Sequence, residues 1–177
     1  MVFKAKSKSD GSLDKLKARF CDRGDLEAHN DLFDNWSSCV SQRTVRAFIA
    51  HATKRQRIPK QLDFIGAYLQ ADMKSRIFVR LPKEYRPYFP DIDRFFNQPL
   101  LLNKTLYGLT VSAKYWNEQL VHFLTDNKFV NFQQSLSDPS LFSYINGNKW
   151  IHFVFYVDDG LYMGDYNNTE KEFFTEL

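Results

Sequence analysis

The sequence has few of the residues that form disulfides and zinc sites. Its two cysteines, Cys21 and Cys39, have no zinc-type spacing, and its four histidines are scattered along the chain. The histidines stand at positions 29, 51, 122 and 152. These features disfavour a disulfide framework and a zinc-binding module, and we expect the histidines to be structural or exposed.

Long apolar runs, low-complexity tracts and internal repeats are absent as well. No stretch has the length and apolar character of a signal peptide or a membrane span, so we expect a reduced, soluble, cytoplasmic protein without membrane contact. The aromatic content of 16%, with 17 Phe, predicts a packed core rather than disorder. The 177 residues suffice for one sizeable core or for two small subdomains of one unit.

Charge is distributed unevenly along the chain. The net charge is +3, yet residues 1–60 hold 13 Lys and Arg against 7 Asp and Glu, whereas residues 61–177 hold 11 against 14. A basic first part suits phosphate groups, and an acidic second part suits metal ions. A charge-rich exposed face explains the same composition, so this pattern alone leaves both interpretations open.

The hydrophobic pattern and the turn residues predict hairpins that alternate with helices. An N-terminal hairpin is expected to join residues 2–6 and 16–21 through a turn around residues 10–12. The further predicted elements are a helix capped by Ser41, a strand over residues 76–81, a loop or short helical insertion over residues 85–96, a helix from Ser112 to near Asn127, and a hairpin that turns at Asn146 and Gly147 before Trp150.

Two neighbouring carboxylates stand at the tip of a predicted hairpin near the end of the chain. The apolar residues 153–157 predict a strand buried on both faces, and a second strand resumes at residues 161–163. Between them, Asp158, Asp159 and Gly160 predict a tight turn. Turn formation alone explains Asp and Gly at these positions, and a metal site at the tip is the alternative.

A third carboxylate, Asp63, lies near the start of another apolar segment, residues 61–69. The segment predicts a buried strand, in which a lone carboxylate is costly unless it is paired or binds a metal. If this strand and the hairpin share one sheet, Asp63 stands beside the hairpin tip. Clustered carboxylates without nearby His or Cys favour Mg²⁺, which proteins hold with one or two carboxylates and substrate phosphates. The pattern therefore points towards phosphoryl transfer.

Several segments, taken in order, resemble the reverse transcriptases of copia-type LTR retrotransposons. Residues 156–159 (YVDD) resemble the polymerase signature of that family, residues 61–69 (QLDFIGAYL) its first catalytic strand, and residues 106–109 (LYGL) the motif between the two. Residues 2–4, 10–12, 17–20 and 23–24 are similar to its fingers region. The resemblance extends from Val2 to about Gly164, and the ordered set is much more specific than any single motif.

The resemblance implies an α+β fold with fingers and palm, in which helices back an antiparallel palm sheet. Residues 1–60 are expected to form the fingers portion, and residues 61–177 the palm portion, of a single reverse transcriptase domain. The chain reaches only Leu177, so we expect a C-terminally truncated fragment that lacks a thumb and an RNase H domain.

The resemblance also implies an RNA-directed DNA polymerase that adds deoxynucleotides to a primer by two-metal nucleotidyl transfer. Asp63, Asp158 and Asp159 are then the catalytic carboxylates and metal ligands, and the backbone carbonyl of Phe64 is an additional ligand. The implied cofactors are two Mg²⁺ ions, with Mn²⁺ as an alternative. The implied partners are an RNA or DNA template with its primer, deoxynucleoside triphosphates, and the rest of a polyprotein that includes integrase and assembles in virus-like particles.

Four residues are implied to contact the substrate. The family places an aromatic ring beneath the sugar of the incoming nucleotide, and Tyr68 stands at that position, where its ring excludes a 2′-hydroxyl; an ordinary core Tyr is the alternative. Lys17 and Arg19 lie where the family has basic residues that bind the triphosphate, and a one-residue uncertainty in register leaves the choice between them open. Tyr156 belongs to the polymerase signature itself.

The middle motif departs from the family. Copia-type sequences often continue after Tyr-Gly-Leu with Lys-Gln-Ser-Pro, whereas this chain has Thr110, Val111, Ser112 and Ala113, and its next basic residue is Lys114. This departure puts nucleotide and template contacts there in doubt. Two other functions therefore stay open: a catalytically inactive fingers–palm remnant that binds nucleic acid or a partner chain, and an unrelated Mg²⁺-dependent phosphotransferase.

Overall fold

The protein is an α+β chain with antiparallel sheets, as its sequence predicts. The structure, a computed structural model, describes residues 2–26, 35–88, 90–126 and 131–165. In chain order the strands and α-helices are β1 (Val2–Ser7), β2 (Leu13–Arg19), α1 (Gln42–Lys54), β3 (Lys60–Asp63), α2 (Ala67–Gln70), β4 (Phe78–Val79), β5 (Leu100–Leu101), α3 (Ser112–Thr125), β6 (Gln133–Gln134), β7 (Leu141–Asn146), β8 (Lys149–Tyr156) and β9 (Asp159–Gly164). Short 3₁₀ helices span Gly24–Leu26, Lys83–Tyr88 and Pro90–Phe95.

The chain divides into two compact units, and each unit combines two stretches of sequence. The first contains the described residues of Met1–Asn35 and Tyr68–Tyr115, and the second those of Trp36–Ala67 and Trp116–Leu177. The sequence predicts a different boundary, at residue 60, between a fingers portion and a palm portion. That division is a functional one, and it stays a prediction. Within the described part of the chain, no helix has the length and apolar character needed to cross a membrane.

The first unit begins with the predicted N-terminal hairpin, in which β1 pairs antiparallel with β2. Gly11 in the turn has a φ of +84°, a conformation that glycine adopts without strain, and the amide of Ser12 donates a hydrogen bond of 2.9 Å to Asp10 Oδ1. A strand was predicted over residues 76–81, and the observed strand β4 is limited to Phe78–Val79, which pairs with β5. The segment predicted as a loop or short helical insertion forms 3₁₀ helices, with Arg86 and Asp93 joined by a bidentate ion pair.

The second unit is built on a sheet with the strand order β3–β9–β8–β7–β6. Two consecutive hairpins, β7–β8 and β8–β9, form its centre, as predicted. The first hairpin turns one residue later than expected, because Asn146 still pairs with Lys149 and the loop residues are 147 and 148. The second also differs: its loop residues are 157 and 158, so Asp159 and Gly160 belong to β9.

The apolar run of β8 is buried on both faces of the sheet. Phe153 and Phe155 are buried on one face, with ring centroids 6.1 Å apart, and Val154 is buried on the other. Helix α1 covers the second face, where one cluster contains Phe48, Ala52, Val154 and Met163. Fully burying a Phe, Val or Met side chain contributes about 1.5–3 kcal/mol, so this packing holds α1 on the sheet.

Helix α1 starts where the sequence predicts. Ser41 is its N-cap, and the hydroxyl oxygen of Ser41 accepts a hydrogen bond of 3.1 Å from the amide of Thr44. Asp138, which is 6% exposed, accepts bonds from Thr44 Oγ1 and from the amides of Ser41 and Ser140. The carboxylate therefore joins the start of α1 to the chain that enters β7. Helix α3 also begins at its predicted residue, and Asn127, its predicted end, lies outside the described residues.

Two of the scattered histidines meet in this unit. His51 of α1 and His152 of β8 have ring centroids 5.4 Å apart, and both lie against Trp150. Burial lowers the pKa of His152 to about 4, and the nearby charges of His51 and Arg55 add to that effect. Both histidines are half-buried, in line with a structural role.

Candidate active site

Strand β3 carries the first predicted carboxylate and ends on it. The strand prediction for residues 61–69 holds only as far as Asp63, because Gly66 adopts a φ of +65°, after which α2 begins at Ala67. Asp63 is exposed, so the expectation of a buried carboxylate was wrong. Because β3 is an edge strand and Asp63 is exposed, its carboxylate remains accessible to water.

The register of the sheet brings the three predicted carboxylates to one end of it. Asp63 and Asp159 are directly paired across β3 and β9, and Asp159 is also paired with Tyr156 of β8. Paired residues of neighbouring strands point to the same face, so these three side chains share one face of the sheet. Asp158 stands in the loop next to them, and the amide of Phe64 donates a hydrogen bond of 2.8 Å to its carbonyl.

The loop that presents Asp158 is strained. Val157 has a φ of +58°, which is rare for a β-branched residue and costs on the order of 1–3 kcal/mol. Trp116 is buried, and its indole Nε1 donates a hydrogen bond of 2.7 Å to the carbonyl of Val157. The Trp116 ring in turn packs edge-on against Phe64, with centroids 5.2 Å apart. Two hydrogen bonds and one ring contact thus hold the loop in its unusual conformation.

Gly160 is required here for its small size rather than for a turn. A Cβ atom at this position would lie 2.7 Å from Cε2 of Phe153 and 3.1 Å from Cγ of Leu62. The glycine therefore lets β3, β8 and β9 pack closely just behind Asp159. The sequence predicted Gly160 as a turn residue, and this was wrong because the loop lies two positions earlier.

The carboxylates are open to solvent. Asp63 and Asp159 are exposed and Asp158 is half-buried, and Gln61 Nε2 donates a hydrogen bond of 3.3 Å to Asp159 Oδ1. Within the described ranges, no three His, Cys, Asp or Glu side chains converge closely enough to hold an ion by themselves. This open donor set fits Mg²⁺, which takes one or two carboxylates together with water and substrate phosphates and needs no complete protein cage.

Two predicted substrate residues of the first unit, Arg19 and Tyr68, lie against Tyr107. The guanidinium of Arg19 lies 5.3 Å from the centroid of the Tyr107 ring, and the Tyr68 ring lies 5.3 Å from the same ring. Lys17 is on the same face of β2 as Arg19, two residues away. Tyr107 was part of the LYGL motif but had no expected contact, and only the structure shows that it joins Arg19 to Tyr68.

The LYGL motif also packs closely against the chain around Asp22 and Gly24. A Cβ atom on Gly108 would lie 2.2 Å from the carbonyl oxygen of Asp22, and one on Gly24 would lie 2.1 Å from the carbonyl oxygen of Gly108. Just beyond the motif, Val111 and Ser112 are buried, and Ser112 Oγ donates a bond of 2.6 Å to the carbonyl of Leu106. Of the three departures from the family, Val111 therefore lies in the interior of the protein, and Thr110 and Ala113 are half-buried.

Tyr156 and Phe64 complete the set of predicted site residues. Tyr156 is 55% exposed on the face shared by Asp63 and Asp159. Phe64 follows Asp63 directly. The Phe64 amide donates to the carbonyl of Asp158, and the Phe64 ring packs against Trp116.

Comparison with known proteins gives a consistent result. Residues 1–177 match the family model described as reverse transcriptase (RNA-dependent DNA polymerase). The chain is 33% identical over 165 residues to the retrovirus-related Pol polyprotein from transposon RE1 of Arabidopsis thaliana, a match that covers 93% of this chain and 11% of the relative.

Two further relatives come from tobacco and yeast. The chain is 27% identical to the Pol polyprotein from transposon TNT 1-94 of Nicotiana tabacum, over 92% of this chain and 12% of the relative. It is 28% identical to the transposon Ty1-NL2 Gag-Pol polyprotein of Saccharomyces cerevisiae, over 91% and 8% respectively. The chain thus spans about a tenth of the length of these relatives. No solved structure gives a significant match.

Proposed function

Because this chain belongs to the reverse transcriptase (RNA-dependent DNA polymerase) family, in its copia-type retrotransposon group, we propose that it carries the polymerase site of a Pol polyprotein. The reaction is template-directed addition of deoxynucleotides to a primer. One observation carries the proposal: Asp63 and Asp159 are paired across neighbouring strands, and Asp158 stands in the adjoining loop. The fold names follow the family, with fingers in residues 1–60 and palm in residues 61–177.

The carboxylates provide the metal ligands in this proposal. Asp63 and Asp158 hold two divalent ions, Asp159 is the third carboxylate of the site, and the carbonyl of Phe64 is an additional ligand. Bound Mg²⁺, or Mn²⁺ in its place, stabilises charge on the attacking 3′-oxygen and on the leaving phosphate oxygens. The open carboxylates support this role because the substrate phosphates must enter the coordination sphere themselves.

The hydrogen bonds of the loop position Asp158. The Trp116 indole and the Phe64 amide bind the carbonyls of Val157 and Asp158, so the loop loses little freedom when substrate arrives. Such preorganisation lowers the cost of reaching the transition state. The loop between β8 and β9 is thus strained, although an ordinary turn would be enough to join these two strands.

Nucleotide contacts are proposed for four residues on the basis of the family. Lys17 and Arg19 bind the triphosphate, and the Arg19 fork suits phosphate oxygens while its stacking on Tyr107 limits its motion. Tyr68 packs beneath the deoxyribose and excludes a 2′-hydroxyl, supported by its contact with Tyr107. Tyr156 contacts the substrate from the face of the sheet that carries Asp63 and Asp159.

The partners follow from the relatives, which are Pol polyproteins. We propose that the chain works with an RNA or DNA template, its primer and deoxynucleoside triphosphates, as one part of a polyprotein that includes a thumb, RNase H and integrase. Its proposed location is the cytoplasm, within virus-like particles.

Single-nucleotide incorporation tests the polymerase function without requiring processive synthesis. A primer annealed to an RNA template is incubated with Mg²⁺ and the next deoxynucleotide, and the extended primer is measured. We expect Asp158→Asn to lower the rate about a hundred- to a thousandfold, since removing one charge-stabilising group in an active site costs that much. Asp126→Asn, which changes an exposed carboxylate at the end of α3, is the matched control and should leave the rate unchanged.

The same experiment distinguishes an active polymerase from the alternative, a catalytically inactive remnant that binds nucleic acid or a partner chain. Incorporation that persists in Asp158→Asn would contradict the proposed site. So would a lack of incorporation by the unaltered chain with both Mg²⁺ and Mn²⁺. The burial of Val111 supports the active alternative, because this departure from the family contributes to the interior and leaves the three carboxylates intact.

A further inference from the structure

Of the residues that the structure describes, Gln61 alone has a side chain that bonds to one of the three carboxylates. Its Nε2 donates a hydrogen bond of 3.3 Å to Asp159 Oδ1. On β3, Gln61 stands two residues before Asp63. The register pairs Gln61 with Leu161, which is two residues after Asp159 on β9. Gln61 and Asp159 are therefore diagonal neighbours on the face of the sheet that carries the candidate site.

The donor on this face is neutral, and the neighbouring cation is turned away from it. Lys60 lies on the opposite face of β3, where its Nζ is 5.6 Å from the centroid of the Tyr162 ring. No cation in the described part of the chain forms an ion pair with the three carboxylates. Asp63 and Asp159 thus stay directly paired like charges, an arrangement that destabilises a β-pair. The Gln61 amide offsets part of that repulsion without adding positive charge.

A neutral donor suits a carboxylate that also serves a metal ion. An ammonium or guanidinium group at the same place would repel the ion, whereas an amide leaves the negative charge of the site unchanged. The amide does occupy one oxygen of Asp159, so that Oδ2 is its remaining oxygen. Within the described ranges, the side chains of Asp63 and Asp158 accept no such bond and keep both oxygens. The three carboxylates are therefore not equivalent.

We propose that Gln61 is a positioning residue that restrains Asp159 to coordinate a metal through one oxygen only. The inference rests on the proposed function and deepens it, because it gives the third carboxylate a part different from that of Asp63 and Asp158. Mg²⁺ demands near-octahedral geometry and leaves several positions to water and substrate phosphates. If Asp159 took an ion with both oxygens, it would fill one of those positions. Gln61 keeps the position open for phosphate.

Mn²⁺ binding measures this restraint without catalysis. The unbound Mn²⁺ is followed by electron paramagnetic resonance as the chain is titrated, at fixed pH and salt and without nucleotide. Gln61→Met keeps the length of the side chain and removes the donor. We expect this variant to bind Mn²⁺ about two- to tenfold more tightly, the scale of one hydrogen bond, because both oxygens of Asp159 are then available to the ion. Gln61 is exposed on an edge strand, so the variant should fold normally.

A double-variant cycle tests whether Gln61 acts through Asp159. In a chain that carries Asp159→Asn, the further change Gln61→Met should leave the Kd for Mn²⁺ unchanged, because the charged oxygen that Gln61 withholds is gone. The matched control is Gln42→Met, at an exposed glutamine at the start of α1. This control should also leave the Kd unchanged.

Nucleotide incorporation provides a second readout. At saturating Mn²⁺, Gln61→Met should lower kcat about tenfold, because Asp159 then blocks a coordination position that the phosphates need. The KM for the deoxynucleotide should stay within about twofold of its original value, as expected when an effect is confined to the transition state. A contact that only stabilised the fold would not produce tighter ion binding together with a lower kcat.

Three outcomes overturn the inference. The first is an unchanged or weaker affinity for Mn²⁺ in Gln61→Met. The second is equal tightening in the Asp159→Asn chain or in Gln42→Met, and the third is a tightened Kd with a full rate of incorporation.

The cycle also separates this inference from the proposed function. Tightening that depends on Asp159 supports the restraint by Gln61 even if the chain incorporates no nucleotide. Incorporation that is lost in Asp158→Asn, together with an unchanged Kd in Gln61→Met, contradicts the role of Gln61 alone. A lack of Mn²⁺ binding by the unaltered chain overturns the metal assignment and this inference together.

Discussion

The indole Nε1 of Trp116 donates a hydrogen bond of 2.7 Å to the carbonyl of Val157, a residue that holds a φ of +58°. Trp116 comes from α3 and Val157 from the loop between β8 and β9. The bond thus connects a buried helical side chain to the strained residue immediately before Asp158. This relationship makes the conformation of the candidate site depend on the packing of α3.

Replacing Trp116 by Phe removes this bond and keeps an aromatic ring against Phe64. We expect the free energy of unfolding to fall by about 1–3 kcal/mol, because a partly buried carbonyl loses its donor. Single-nucleotide incorporation should fall about tenfold or more as Asp158 loses its fixed position. Urea unfolding and the incorporation assay measure the two effects, and Trp36→Phe, at a residue that is 67% exposed, is the control. Stability lost with no change in incorporation would show that the bond does not position Asp158.

Gly160→Ala should destabilise the sheet at the candidate site. The added Cβ meets the Phe153 ring at 2.7 Å, and overpacking of this kind costs about 1–3 kcal/mol. Phe153→Leu in the same chain removes the colliding ring atoms. The double variant should therefore lose less free energy of unfolding than the two single losses added together. Strict additivity would mean that the Cβ is accommodated without contact between these residues.

Asp138→Asn should weaken the attachment of α1. Burial raises the pKa of Asp138, but the hydrogen bonds from Thr44 and from the amides of Ser41 and Ser140 outweigh it, so the pKa lies below its usual value. A lowered carboxyl pKa contributes stability above the unfolded pKa of about 4, and this contribution is lost as the pH falls through the folded value.

The expected loss in Asp138→Asn at pH 7 is about 1.5–3 kcal/mol of unfolding free energy, since the bonds are made to a charged acceptor. At a pH below the lowered folded pKa, the unaltered protein and the variant should approach each other, as both then carry an uncharged side chain. Urea titrations at the two pH values measure this, and a difference that stays constant with pH would be contrary to the expectation.

His152 should make the free energy of unfolding depend on pH in a higher range than Asp138 does. Its folded pKa of about 4 is below the usual value of 6.5, so between these values the unfolded chain binds the proton more readily. The free energy of unfolding should be constant above about pH 6.5 and decrease as the pH is lowered towards 4.

The groups that face His152 are known. His51 of α1 and Arg55, the residue that follows this helix, are two of them. Ser143 of β7 has its Oγ 2.8 Å from His152 Nδ1, and the residue of β9 paired with His152 is the uncharged Met163. His152→Asn should remove most of the decrease between pH 6.5 and 4. A decrease of the same size in the variant would assign the effect to other groups.

Tyr68→Ala should weaken the discrimination against ribonucleotides. If the ring excludes a 2′-hydroxyl, its loss raises the ratio of ribonucleotide to deoxynucleotide incorporation by about tenfold or more, the scale of a steric difference in a fitted pocket. Tyr68→Phe keeps the ring and should keep the ratio. An unchanged ratio in Tyr68→Ala would favour the alternative of a structural Tyr, which the contact with Tyr107 also allows.

Much of the local structure could be predicted. The cap at Ser41, the start of α3 and the N-terminal hairpin depend on residues close together in the sequence, and all three are confirmed. The boundaries around the candidate site were less predictable. Asp158, Asp159 and Gly160 have the composition of a turn, yet the loop residues are 157 and 158. Val157 adopts a strained conformation there, which a hydrogen bond from Trp116, distant in the sequence, stabilises.

Short patterns of neighbouring residues are enough to predict the family, the α+β class, the apolar run of β8 and the three carboxylates of the candidate site. Only the tertiary structure decided that Asp63 lies exposed opposite Asp159 and that Asp138, 97 positions from Ser41, holds the start of α1. Those contacts depend on strand register and helix docking. Both arise from cooperative packing between segments far apart in the chain, and no local pattern encodes them.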